Sequence, residues 1–231
     1  IDGDDYQQVM SPAPEPEELA SLPDQLRAHL GRGILDYLGP VRLGIVELRY
    51  VDPPPRIAID TPRPADAPDA LCRLWIRLTG ELPQQLLDDP VTAACMLAYI
   101  SDWTVLDPVQ VAVGKTWQEM ATMASLDHAI WFHRPVDFSD WLRYDQRSPS
   151  VSGGVGLGIG AIYQRDGTLL AAQWVAGLDT PAGAQSTMNE FRNQADRAAV
   201  GSAGVCDGRS VCRIQVRPDV EFQAQREQCV R

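Results

Sequence analysis

The sequence predicts an α+β domain in which an antiparallel sheet wraps around one long buried helix. Three observations carry this prediction. Residues alternate with a period of two before residue 80 and again after residue 120. Between these stretches a segment opening at Pro90 is apolar on nearly every side, which requires a buried helix. Asp166-Gly167 then joins two β-rich runs as a two-residue hairpin turn.

Residues 1–33 read as an acidic, proline-rich linker. Asp2, Asp4, Asp5, Glu15, Glu17, Glu18 and Asp24 all precede the first basic residue, Arg27, and four prolines punctuate SPAPEPEELASLPD at 11–24. Such a segment is extended and solvated, suited to wrapping a partner surface. It leads into a short helical pattern around Leu26 to Tyr37. From Pro40 the period changes: Val41, Leu43, Ile45, Glu47 and Arg49 alternate with Arg42, Gly44, Val46, Leu48 and Tyr50. Asp52 to Pro55 ends this strand, because proline cannot donate to the ladder. Residues 56–70 read as loop, and Cys72 to Thr79 as a second strand. Asp88 and Asp89 supply an acidic cap before Pro90 in the first helical turn. Val91, Ala94, Cys95, Leu97, Ala98 and Ile100 or Ser101 follow helical spacing. Strands over Met120–His133, Trp141–Ser148, Gly154–Tyr163 and Thr168–Gly177 complete a domain at residues 34–178. Residues 179–231 form a tail rich in Ala, Gln, Arg and Gly. A helix over Thr187–Ala199 and a short strand over Val211–Val216 are its only patterns, and disorder or loose docking is its expected state.

Bulk properties exclude several function classes. A chain of 231 residues with 45% hydrophobic content can bury a core. No apolar run reaches eighteen residues, so no membrane partner is expected, and the start at Ile1 lacks the basic–apolar pattern of a secretory signal. The net charge of −11 and the absence of a dense basic stripe argue against nucleic acid. An anionic coenzyme can still be held by a few local arginines. The five cysteines, Cys72, Cys95, Cys206, Cys212 and Cys229, contain no CxxC pair. An odd number without zinc-ligand spacing favours reduced thiols and a cytoplasmic setting, with no metal or cofactor.

Candidate chemistry gathers in three places. Asp102 follows the buried helix in AYISDWT. A carboxylate beside apolar residues must be paired, neutral or functional, and a helix C-terminus disfavours its charge, so local stability does not explain it. In ASLDHAIWFHRP, strand alternation puts Ser125, Asp127, Ala129, Trp131 and His133 on one face. Leu126, His128, Ile130 and Phe132 take the other. That separation argues against a Ser/His/Asp triad, no GxSxG elbow is present, and His128 is expected to be structural. GGVGLGIGA at 153–161 lacks the lysine and following helix of a phosphate loop. Its glycines at period two are expected to admit close packing of the helix.

The ordered set AYISDW, SLDHAIWFHRP, DWLRYDQRSPS and AIYQRDGTLLAAQWVAG resembles the C-terminal hotdog of the acyl-CoA thioesterase II (TesB-like) family. The resemblance covers residues 34–178 and implies a hotdog fold that cleaves fatty acyl-CoA to free acid and CoA. It implies a catalytic set of an Asp after the helix, a Ser or Thr before the DH motif and a Gln on the last strand. Asp102 and Ser125 match the first two. The carboxylate would serve as general base or water anchor, while hydroxyl and amide fix the water. Helix N-terminal amides would receive the carbonyl oxygen.

Two departures follow from the same comparison. Val175 stands where the family has its Gln, and Gln173, two residues earlier on the same strand face, is the remaining candidate for that role. The family also carries a second hotdog, N-terminal to the one matched here, and residues 1–33 resemble the linker that would follow it. The loss of the Gln and the unrelated tail beyond residue 178 together suggest a truncated or frame-altered relative, and hence an impaired thioesterase. The alternative is a non-catalytic hotdog that binds acyl groups or another subunit. A lone hotdog leaves a sheet edge uncovered, so a homo-oligomer through hotdog pairing is expected.

Overall fold

The computed structural model describes residues 5–30, 45–58, 70–83, 88–114, 123–179 and 212–213. In chain order the elements are α1 (Leu22–Leu30), β1 (Val46–Tyr50), the single turn α2 (Pro55–Ala58), β2 (Ala70–Leu78), α3 (Pro90–Ser101), α4 (Asp107–Val113), β3 (Met123–Phe132), β4 (Leu142–Ser152), β5 (Val155–Gln164), β6 (Leu169–Asp179) and the two-residue β7 (Cys212–Arg213). The strands form one antiparallel sheet in the order β1-β2-β4-β5-β6-β3-β7. Asp166-Gly167 makes the β5–β6 turn as expected, with Gly167 at φ +92°, a backbone that favours glycine. The first helix starts four residues earlier than the sequence pattern suggests, at Leu22. The expected continuation to Tyr37, the first half of the 41–50 strand and the 187–199 helix lie outside the described residues. Of the expected strand over Val211–Val216, only Cys212 and Arg213 are described, paired with Ile130 and Ala129.

The expected long helix is two consecutive segments, and local chemistry explains the break. Asp89 caps α3, accepting from the Val91 and Thr92 amides, and Pro90 occupies the first turn. Leu97, Ala98 and Ile100 then pack into the core against strand residues such as Leu74 and Ile130, each large side chain contributing about 1.5–3 kcal/mol. At Ser101 the carbonyl that a continuing helix would turn toward residue 105 instead accepts from the Gln173 amide and the Tyr144 hydroxyl. Pro108 has no N–H for Thr104, whose carbonyl accepts from Asp107 at 2.8 Å. The chain therefore turns through 102–106 before α4 resumes.

Gly156 and Gly158 of β5, with Gly177 of β6, allow this turn and α4 to press against the sheet. A Cβ at Gly156 would meet Val109, one at Gly158 the Val105 carbonyl oxygen, and one at Gly177 the Leu106 side chain. The close approach expected of this glycine strand thus comes from α4 and the turn before it.

The leader lies along the opposite face of the sheet. Prolines remove N–H donors, so the segment presents mainly carbonyl acceptors. Donors on the sheet meet them: Arg73 reaches Pro12 O, Trp75 Nε1 reaches Pro14 O, and Arg49 reaches Pro16 O and Leu19 O. Gln7 bonds Gly167 O and the Leu169 amide, and Arg165 pairs with Glu15 and Glu17. Trp75, Trp141 and Arg143 are consequently buried on what would otherwise be the outer face, with the Arg77 guanidinium stacked 4.5 Å from the centre of the Trp141 ring.

Asp107 is an ionisable group buried at the start of α4, accepting a 2.5 Å hydrogen bond from the Tyr50 hydroxyl. Burial raises its pKa from 3.8 to about 7, against the opposing effect of that hydrogen bond. The folded state thus holds a proton that the unfolded chain releases near pH 4. Stability is full below that pH and falls as pH rises toward 7, by on the order of a few kcal/mol. Asp107→Asn keeps the acceptor for Tyr50 and removes the titration. It should raise Tm at pH 8 and change it little at pH 4, and equal shifts at both pH values would refute this.

Candidate active site

Asp102 is the C-cap of α3, its own N–H bonded to Ile100 O. Its carboxylate is 26% exposed and lies 3.9 Å from His128 Nδ1 through Oδ1. Ser125 Oγ donates to the same Oδ1 at 2.9 Å. The two residues first singled out by sequence are therefore in direct contact, although 23 positions separate them.

Ser125 and His128 share one face of β3, which corrects the expectation from simple alternation. The ladder with β6 pairs Ser125 with Gly177, Asp127 with Ala176, His128 with Val175 and Ile130 with Gln173, so a bulge falls at Leu126. Directly paired residues of an antiparallel ladder point to the same side. Gly177, Val175 and Gln173 alternate on the inner face, and the extra residue at the bulge moves Ser125 onto it. No glycine or proline marks the bulge in the sequence.

Gln173 joins the cluster through His128. Its Oε1 lies 3.0 Å from His128 Nε2, and its Nε2 donates to Ser101 O at 3.2 Å and to the Tyr144 hydroxyl oxygen. Gln173 is fully buried and His128 is 5% exposed. Burial and the charges of Asp102 and Asp107 hold the Tyr144 phenol well above its ordinary range, so it stays a donor to Ser101 O at 3.1 Å. Sequence reasoning missed Tyr144 and assigned His128 no chemistry. The one available signal was a polar residue on each of three apolar strand faces: His128, Tyr144 and Gln173. Val175, also fully buried, sits between Gly177 and Gln173 on that face.

The N-terminal amides of α3 are not placed to assist at Asp102. Asp89 occupies those of Val91 and Thr92, and twelve helical residues set them about 18 Å from the other end. A pocket of about 420 Å³ is lined by Leu19, Gln25, Tyr50, Asp52 and Ile57 among others, and none of the clustered side chains lines it.

A carboxylate, a hydroxyl, an imidazole and an amide thus converge at the end of a helix on a curved antiparallel sheet. The family model for acyl-CoA thioesterases matches residues 69–185, just over half of the chain. The chain belongs to the acyl-CoA thioesterase family. It is 37% identical over 108 residues to acyl-CoA thioesterase 2 of Haemophilus influenzae, covering 45% of this chain and 35% of that protein. Human acyl-coenzyme A thioesterase 8 is 28% identical over 172 residues, covering 71% of this chain and 50% of the relative. Among solved structures, acyl-CoA thioesterase II TesB2 from Mycobacterium marinum superposes with a TM-score of 0.58 at 32% identity, over 79% of this chain and 60% of that one. A hotdog-fold protein from Alicyclobacillus acidocaldarius, 17% identical, superposes at 0.52 over 78% of this chain and 58% of its own. The fold is the hotdog, and the sequence belongs with the TesB-like acyl-CoA thioesterases. The chain spans about a third to a half of the curated relatives named here.

Proposed function

We propose that this acyl-CoA thioesterase homologue hydrolyses fatty acyl-CoA to free fatty acid and CoA, with a water held at Asp102 and Ser125. The observation that supports this reading most is the 2.9 Å Ser125–Asp102 hydrogen bond beside a partly exposed carboxylate. The Ser125 hydroxyl fixes the carboxylate's orientation by donating to Oδ1, and the carboxylate anchors a water against the thioester carbonyl carbon. Attack gives a tetrahedral oxyanion whose collapse breaks the C–S bond and releases CoA. Gln173 contributes by holding His128 rather than by touching water, since its Oε1 lies against that ring and its Nε2 is bonded to Ser101 and Tyr144. We place residues 34–178 as the hotdog unit, residues 1–33 as its linker and residues 179–231 as an appended tail. We assign the protein to fatty acid metabolism in the cytoplasm, working as a homo-oligomer through hotdog pairing. Exposed Val91 and Tyr99 on α3 and Trp131 on β3 are consistent with such pairing.

The test is thiol release from acyl-CoA substrates of short, medium and long chain. Expected is hydrolysis above the buffer rate on at least one of them, and no release on any would sink the reading. The buried Val175 favours a second reading, a non-catalytic acyl-binding or subunit-interaction module. Val175→Gln discriminates. Position 175 is cross-strand from His128 and one inner-face step from Gly177, the partner of Ser125, so an amide there faces the candidate water. The substitution should raise kcat on the order of tenfold through one more donor to the reacting group, at about 1–3 kcal/mol of stability for burying the amide. A parent already active and unchanged by it would show that Val175 is no lesion. A silent parent that becomes active would establish the non-catalytic state.

A further inference from the structure

We infer that His128 is the proton acceptor for the attacking water, an assignment that rests on the thioester-hydrolase reading above. Its tautomer follows from the groups around it. The Ser101 carbonyl can only accept, so the end of Gln173 that faces it at 3.2 Å is the amide nitrogen. The Tyr144 hydroxyl gives its one proton to the same carbonyl at 3.1 Å, so its oxygen receives the other Gln173 N–H. Gln173 Oε1 is left facing His128 Nε2 at 3.0 Å, and that nitrogen must carry hydrogen. In a neutral imidazole Nδ1 is then an acceptor.

That lone pair faces Asp102 Oδ1 at 3.9 Å. The distance is too long for a direct hydrogen bond and suits a single bridging water. Such a water directs one O–H at Nδ1 and the other at the carboxylate, leaving an oxygen lone pair for the thioester carbonyl. On attack the O–C bond forms, one water proton passes to Nδ1, and the carbonyl π pair moves onto its oxygen. The new imidazolium faces the Asp102 carboxylate, which stabilises charge only as it develops. On collapse the C–S bond breaks with its electron pair on sulfur. Nδ1–H returns the proton to the thiolate, so acid and thiol are the only products and the ring is neutral again. Ser125 holds the carboxylate, and Gln173 and Tyr144 hold the ring. His128 thereby performs the proton transfer with Val175 as its cross-strand neighbour.

The test uses His128→Gln and His128→Asn in the full chain, with nitrogen chemical shifts of the His128 ring in the parent. His128→Gln puts an amide N–H where Nε2–H stood and removes Nδ1. It should lower kcat by roughly 10²–10⁴-fold with KM and Tm nearly unchanged. His128→Asn leaves a non-basic oxygen near Nδ1 and should be equally slow. The ring spectrum should show protonated Nε2 and bare Nδ1 at neutral pH. A ring protonated on Nδ1 alone overturns the assignment even if both variants misfold. His128→Gln with kcat within about threefold of the parent, far above the 10²-fold floor for a lost base, overturns it as well, and beside an inactive Asp102→Asn it leaves the hydrolase reading intact. A parent that hydrolyses no acyl-CoA overturns both.

Discussion

Asp102→Asn should reduce kcat for acyl-CoA hydrolysis by roughly 10²–10³-fold, the range for loss of one group that stabilises charge developing in the transition state. The substitution keeps an oxygen that can accept from Ser125 Oγ, so the local geometry has reason to persist. It also removes a negative charge from the C-terminal end of α3, where the helix dipole opposes it, and should therefore raise stability by about 0.3–1 kcal/mol. Activity and stability move in opposite directions, a pairing that a merely structural aspartate would not produce. Steady-state thiol release and a thermal melt on the same preparation check both halves. Retention of more than a tenth of the parent kcat would remove Asp102 from the chemistry.

The largest effect on stability should come from Gly158→Ala, distant in sequence from the residues of the site. A Cβ at Gly158 would stand 2.2 Å from the backbone oxygen of Val105. Backbone cannot rotate aside as a side chain does, so the 102–106 turn must move away from β5. The expected cost is about 3 kcal/mol, at the upper end for overpacking, read as a lower denaturant midpoint with unchanged slope. Because that turn begins at Asp102, kcat should fall as well. Gly156→Ala makes a useful contrast, since its obstacle is the Val109 side chain, which has other rotamers. A loss at Gly158 below 1 kcal/mol would mean the turn is not held by this contact.

Much of this was legible in the residues because the signals were local. Strand alternation, Asp89-Pro90 at a helix start and Asp166-Gly167 at a hairpin each act within a few positions, and each has its expected counterpart. Asp102 and Ser125, which lie in hydrogen-bond contact, had been singled out as candidates, the first by a helix end and both by family resemblance. What failed depended on long-range pairing. Leu126 carries no mark of a bulge, so alternation put Ser125 on the wrong face. The break after Ser101 owes as much to Tyr144 and Gln173, 43 and 72 residues away, as to Pro108. His128 was read as a satisfied core histidine, which is half true: its Nε2 is satisfied by Gln173, and its Nδ1 looks out at Asp102.

The proline-rich leader bears on where this unit can be cut. The match to the family model begins at residue 69, yet β1 and the strip laid over Trp75 and Arg143 come earlier in the chain. A fragment starting at the edge of that match would lose an edge strand and uncover tryptophan and arginine side chains together. The stretch that the family model matches is therefore narrower than what folds together, and a stretch resembling a linker serves as the sheet's second cover.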